Sequence, residues 1–172
     1  MNAQSNTSAN AADANSFSQL PLGATMQANL QQLGYTQMTA IQAASLPLAL
    51  QGKDVIAQAS TGSGKTAAFG LALLARLNPR WFSVQALVLC PTRELADQVA
   101  TEIRRLARAE ENIKVVTVYG GVPSRNQIAS LENGAHIIVG TPGRVMDLLE
   151  RGVIDLAAMN TRVLDEDDRM LA

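Results

Sequence analysis

The sequence predicts a layered α/β fold with a mostly parallel sheet and helices on both faces. Three observations predict it: short, continuous apolar runs that read as buried strands, helical periodicities between them, and polar, chemically loaded segments directly after the strands. Strands alternating with helices at this spacing imply crossover connections, and a parallel sheet is covered on both faces by its crossover helices. In such a sheet the ligand site lies outside the carboxyl ends of the strands. A length of 172 residues is enough for one domain with a real core.

Each element has its own signal. Residues 1 to 15, mostly Asn, Ala, Ser and Thr, carry no apolar period and are expected to form a disordered tail; residues 16 to 172 are expected to form the domain. Leu22, Met26, Leu30 and Leu33 recur at helical spacing, and Gly34 follows as a stop. A second helix is predicted from about Thr39 to Leu50, with Gly52 past its end. Val55-Ile56-Ala57, Ala86 to Cys90, Val115 to Val118, Ile137 to Val139 and Val163-Leu164 read as strands, and the clearest intervening helix carries Leu95, Val99, Ile103 and Leu106. Directly after these strands come Ala59 to Thr66, Pro91 to Leu95, Gly120-Gly121, Thr141 to Arg144 and Asp165 to Asp168. Segments so placed are expected to share one edge of the sheet and form one surface.

Composition narrows the function. Lys and Arg number 14 against 15 Asp and Glu, which excludes a polycation that holds nucleic acid by bulk charge. The near-balance is a cancellation, because residues 165 to 168 alone supply four of the acids. Aromatic residues make up 3%, too few for a broad base-stacking sheet. One cysteine, Cys90, and one histidine, His136, build neither an internal disulfide nor a zinc site, and both border apolar runs, so they read as structural. No Lys or Arg precedes Lys53 and no apolar run is long enough for a membrane span, so the expectation is a soluble, cytoplasmic protein without membrane association.

The motifs carry the chemistry. Ala59-Ser60-Thr61-Gly62-Ser63-Gly64-Lys65-Thr66, between a strand and a helix, reads as a phosphate-binding loop: backbone N–H groups and a helix start meet the anion, Lys65 neutralises terminal phosphate charge, and the Thr66 hydroxyl reaches Mg²⁺. The general pattern opens with Gly where this chain has Ala59. Asp165 and Glu166, after the strand Val163-Leu164, supply a carboxylate for Mg²⁺ and a neighbour that orients or deprotonates water. Taken alone, such an acidic cluster is more often a solvated turn. Thr92 and Thr141-Pro142 are likewise good helix-capping residues, and Gly120-Gly121 a plain turn, until their shared place beside the phosphate loop is considered.

Together these motifs resemble the first RecA-like, P-loop domain of a DEAD-box RNA helicase, from Phe17 to the end of the chain. Phe17, Gly34-Tyr35 and Thr39-Ala40-Ile41-Gln42 resemble the adenine-sensing Q motif, with Ala40 where the family more often has Pro. Ala59 to Thr66 matches motif I, Pro91-Thr92-Arg93-Glu94-Leu95-Ala96 motif Ia, Gly120-Gly121 the glycine doublet, and Thr141-Pro142-Gly143-Arg144 motif Ib. The stretch Gln85 to Ala100 resembles bacterial members of the DbpA type in particular. The resemblance implies ATP and Mg²⁺ as cofactors. Phe17, Thr39, Gln42 and Ser60 to Thr66 (Thr61, Gly62, Ser63, Gly64 and Lys65 between them) would bind ATP, and Thr66 and Asp165 the metal. Lys65, Asp165 and Glu166 would be catalytic. Pro91, Thr92, Arg93, Gly120, Gly121, Thr141, Pro142, Gly143 and Arg144 would grip an RNA sugar-phosphate backbone with little base reading; ribosomal RNA is among the candidates. An amide such as Gln42 can donate to and accept from one edge of adenine, and Phe17 can cover the base.

Two departures from the family pattern matter. Motif II should read Asp-Glu-Ala-Asp, yet the chain has Asp165-Glu166-Asp167-Asp168, which puts an added carboxylate beside metal and phosphate. The chain also stops at Ala172, before any Ser-Ala-Thr segment or second RecA-like domain, and is therefore expected to be C-terminally truncated, to do little unwinding alone and to leave a sheet edge exposed. The alternative reading is a non-catalytic module that binds ATP or RNA without turnover. A small-molecule kinase accounts for Ala59 to Thr66 but not for the Gln42 segment or for Pro91 to Ala96.

Overall fold

The apolar runs after residue 85 become one parallel sheet in a computed structural model that describes residues 14–53 and 64–165. The expected strand Val55-Ile56-Ala57, loop residues Ser60 to Ser63 and motif II residues Glu166 to Asp168 lie outside the described residues. The chain divides into two units, residues 1–75 and 76–172, each described by itself.

The first unit is helical among its described residues. A short 3-10 turn, Phe17–Gln19, precedes α1 (Ala24–Gln32), and α2 (Ala40–Leu50) and α3 (Lys65–Ala75) follow. The predicted stops hold: α1 ends into Gly34 and α2 into Gly52, each through paired backbone bonds, Tyr35 N to Leu30 O at 2.9 Å and Lys53 N to Leu48 O at 3.1 Å. Thr39 opens α2 with a capping box, its hydroxyl accepting from Gln42 N while Gln42 Oε1 accepts from Thr39 N at 2.9 Å. Helix α2 packs on α3, whose Leu71, Leu73 and Leu74 are buried. The expected tail boundary falls beside an anchored residue, for Asn15 O accepts from Met38 N at 2.7 Å.

The second unit runs β1 (Ala86–Leu89), α4 (Arg93–Ala107), β2 (Val115–Val118), α5 (Arg125–Glu132), β3 (Ile137–Gly140), α6 (Pro142–Glu150) and β4 (Thr161–Leu164). The strand order is β2-β3-β1-β4, and every pair is parallel. Side chains alternate across the sheet. Leu87, Val116, Val118 and Ile138 share one face with Leu131 of α5 and Val145 and Leu148 of α6. Helix α4 packs on β2 and β3 and buries Val99, Ile103 and Leu106 against the other face. Connection handedness explains this division: the chain steps one way across the sheet from β1 to β2 and the opposite way afterwards, so right-handed crossovers place α4 opposite α5 and α6. The fold expectation of helices on both faces is met.

The residues read as structural are used within this unit. His136 is fully buried; its Nδ1 accepts from Lys114 N at 3.0 Å, so Nε2 carries the proton and donates to Pro79 O at 2.8 Å. Cys90 is fully buried just past β1.

Candidate functional site

The sheet register aligns the loops that matter. Leu89 pairs with both Gly140 and Leu164, and Val118 pairs with Gly140, so the last residues of all four strands form one row. Pro91-Thr92-Arg93, Gly120-Gly121, Thr141 to Arg144 and Asp165 leave the sheet from that row. Cys90 N donates to Gly140 O at 2.8 Å, Thr141 N to Val118 O at 2.9 Å and Asp165 N to Leu89 O at 2.8 Å, which carries the ladder one residue into three of these loops. One edge therefore gathers the expected segments of this unit.

Gly140 is part of the reason the row closes. A Cβ there would overlap Val118 O and Val145 Cγ2, so β2 and α6 approach the end of β3 only because that residue is glycine. Sequence reading ended the strand at Val139 and missed it.

Within the edge, the segments are tied to one another. Arg144 donates through Nη1 to Gln127 Oε1 at 3.1 Å and through Nη2 to Val122 O at 3.0 Å, and Gln127 Nε2 donates to Tyr119 O at 3.0 Å. Two strand-end loops are thus locked by a guanidinium and a buried amide. Arg93 reaches across from the start of α4, its guanidinium carbon 5.6 Å from the centre of the Tyr119 ring, a cation–π distance. Gln127 and Tyr119 were not singled out from sequence; a polar residue buried on the inner face of α5 was the available signal.

The two capping threonines differ. Thr92 Oγ1 accepts from Leu95 N at 3.2 Å and caps α4. Thr141 sits at the N-cap of α6, ahead of Pro142, with no side-chain cap bond. Its hydroxyl is thus not committed to the helix it precedes.

In the first unit, α3 begins at Lys65, with Thr66 next in its first turn, so the helix starts where the phosphate-loop reading places it. Gly64 has φ +88 and its carbonyl accepts from Gln42 Nε2 at 3.0 Å. A Cβ at Gly64 would overlap that amide. Gln42 is 2% exposed, and both ends of its amide are engaged, with Thr39 N and with Gly64 O. Each end of that amide keeps one further valence, an N–H on Nε2 and a lone pair on Oε1. Phe17 is 1% exposed, its ring edge-on to Tyr35 at 5.4 Å between centroids. Asp165, at the end of β4 in the other unit, is 2% exposed.

A parallel α/β sheet with hydroxyls, glycines and guanidinium groups gathered at its carboxyl edge, in a chain whose glycine-rich segment leads into a helix at Lys65 and Thr66, defines a RecA-like P-loop protein. The DEAD/DEAH box helicase pattern matches residues 39–172, and the chain belongs to that family. It is 60% identical over 143 residues to the ATP-dependent RNA helicase DbpA of Escherichia coli strain K12, covering 83% of this chain and 31% of that protein. It is 48% identical over 155 residues to the DEAD-box ATP-dependent RNA helicase CshA of Streptococcus pneumoniae serotype 4, covering 90% and 29%. The crystal structure of a DEAD box protein from the hyperthermophile Methanococcus jannaschii superposes with a TM-score of 0.84 at 41% identity, over 91% of this chain and 42% of that one. S. cerevisiae Dbp5 bound to RNA and ADP BeF3, a single-substitution variant, superposes with a TM-score of 0.81 at 35% identity, over 91% and 39%. The chain thus spans about a third of the length of the curated relatives it matches. Among the described residues no helix is long and apolar enough to cross a membrane.

Proposed function

We propose that this chain is the ATP- and RNA-binding N-terminal domain of an ATP-dependent RNA helicase, which hydrolyses ATP with Mg²⁺ and drives local RNA strand separation when a second RecA-like domain completes it. The observation that supports this reading is the single row of strand ends, from which the segments that resemble motifs Ia, Ib and the glycine doublet depart together with Asp165, the first residue of the motif II resemblance. Ribosomal RNA is the proposed target, on the resemblance of residues 85 to 100 to the DbpA type. A cytoplasmic location is proposed from the composition.

The residues fit the nucleotide and metal. Gly64, without a Cβ, keeps the turn into α3 open against Gln42, and the Thr66 hydroxyl and the Asp165 carboxylate are the hard oxygen donors Mg²⁺ prefers. Mg²⁺, when bound, offsets the charge on the phosphate oxygens. Ser60 to Thr66 would bind the phosphates, as the phosphate-loop reading implies, and Lys65 would neutralise them from the first position of α3. Gln42 reads the adenine edge with the N–H and the oxygen lone pair that its bonds to Gly64 and Thr39 leave over, with Thr39 and Phe17 shaping that end of the site. Glu166 orients the attacking water and takes its proton. Pro91 to Arg93, Gly120-Gly121 and Thr141 to Arg144 hold the RNA backbone.

A second reading, a binding module without turnover, is favoured by Asp167, where the family has a small apolar residue. Equilibrium titration of the chain with ATP, GTP and single-stranded RNA in the presence of Mg²⁺ tests the first reading: ATP is expected to bind more tightly than GTP, and Lys65→Ala to weaken ATP roughly tenfold or more. Equal affinity for the two nucleotides would overturn the Gln42 assignment. Hydrolysis that appears only after Asp167→Ala would favour the second reading.

A further inference from the structure

The outer edge of the sheet carries a groove that none of the motifs accounts for. It has a volume of about 820 Å³, runs along β2 between α4 and α5, and is rimmed by Arg104, Lys114 and Arg125. No Asp or Glu lines it, and none of the three cations forms an ion pair among the described residues. Two other arginines of this unit do form ion pairs, Arg105 with Glu102 at 2.9 Å and Arg151 with Asp147 at 3.4 Å. The place of Arg104 on a long amphipathic helix with Arg105 and Arg108, among Glu102, Glu110 and Glu111, reads as a solvated charged face, yet Arg104 lines the groove.

Two of these cations are held in place by the backbone. Arg104 Nη2 donates to Val115 O at 3.0 Å, which also blunts the β2 edge, and Lys114 Nζ donates to Ser130 O. A guanidinium has five N–H donors and an ammonium three, so both keep donors for a ligand. The groove is also continuous with the strand-end surface, because Tyr119 and Val122, on either side of Gly120-Gly121, line its end.

We propose that this groove extends the RNA path beyond the glycine doublet and holds the phosphates of the strand on Arg104, Lys114 and Arg125. The proposal rests on the reading that Gly120-Gly121 contacts RNA. A cationic cleft with one aromatic side chain, Tyr119, favours backbone contact without base reading. Each phosphate neutralised on a single strand contributes about 0.7 to the salt dependence of binding.

The test is binding of labelled oligouridylates of about 6 and about 16 nucleotides to the whole chain, across a salt series. Arg104→Glu with Arg125→Glu is expected to weaken the longer RNA by about tenfold or more, to lower its log–log salt slope by about 1.4, and to leave the shorter RNA within about twofold. Arg125→Gln, at an exposed position with no side-chain bond among the described residues, is expected to lower the slope by about 0.7 and covers the case in which the double variant fails to fold. Unchanged affinity for the longer RNA in a folded variant, or equal weakening of both lengths, would overturn the groove while leaving the strand-end reading intact. Failure of the unaltered chain to bind either RNA would overturn both. Loss of poly-glutamate binding with RNA binding unaffected would assign the groove to an acidic protein instead.

Discussion

Thr92 and Thr141 hold equivalent positions, each following a buried strand and preceding a helix, yet only Thr92 gives its hydroxyl to the helix. Thr92→Ala is therefore expected to cost about 1 kcal/mol in stability, measured by chemical denaturation. Thr141→Val is expected to change stability by less than about 0.5 kcal/mol and to lower RNA affinity, so the two substitutions separate capping from binding. From sequence the two threonines were equivalent, since a capping bond depends on how the first turn of the helix is presented. Gln42 teaches the same lesson. From sequence, Thr39-Ala40-Ile41-Gln42 carries only a resemblance to the Q motif; the capping box it forms is local, whereas the second bond of Gln42, to Gly64, depends on a contact between residues 22 apart in sequence. Gly64→Ala is expected to lower ATP affinity about tenfold or more in a nucleotide titration, because an added Cβ overlaps the Gln42 amide at a backbone φ of +88.

At the scale of elements, periodicity was a good guide. Strands β1 to β4 lie where continuous apolar runs predicted them, and α4 shows the stripe of Val99, Ile103 and Leu106 read from spacing. What periodicity does not contain is the lateral order of strands. The chain skips a position between β1 and β2 and fills it later with β3, so the neighbours of each loop follow from topology alone. For that reason the bridge from Arg144 through Gln127 to Tyr119 was invisible in the sequence, although every residue in it was in view. Gln127→Ala removes an acceptor from Arg144 and a donor from Tyr119 O inside a buried setting, and a loss of about 1–3 kcal/mol is expected. The same substitution is expected to weaken RNA binding while leaving ATP affinity unchanged, a split that titrations with each ligand would resolve. Gly140→Ala is expected to destabilise the fold more, because the clash is with the Val118 backbone and no side chain can move to relieve it.

For the whole molecule, the composition proved informative mainly by exclusion. Near-neutral charge removed bulk attraction to RNA, and the structure shows how a chain of net charge −1 still presents a local cationic surface: Arg93 lies over Tyr119, Arg144 is fixed between two loops, and Arg104, Lys114 and Arg125 rim one groove. The chain belongs to the DEAD/DEAH box helicase family and spans about a third of the length of the curated relatives it matches. The most direct test joins this chain to the remainder of the E. coli relative and measures ATP hydrolysis with and without single-stranded RNA. The account predicts hydrolysis that rises with RNA and falls roughly a hundredfold or more in Lys65→Ala, the scale expected when a charge that stabilises the transition state is removed. RNA-stimulated hydrolysis that persists unchanged in Lys65→Ala would contradict it.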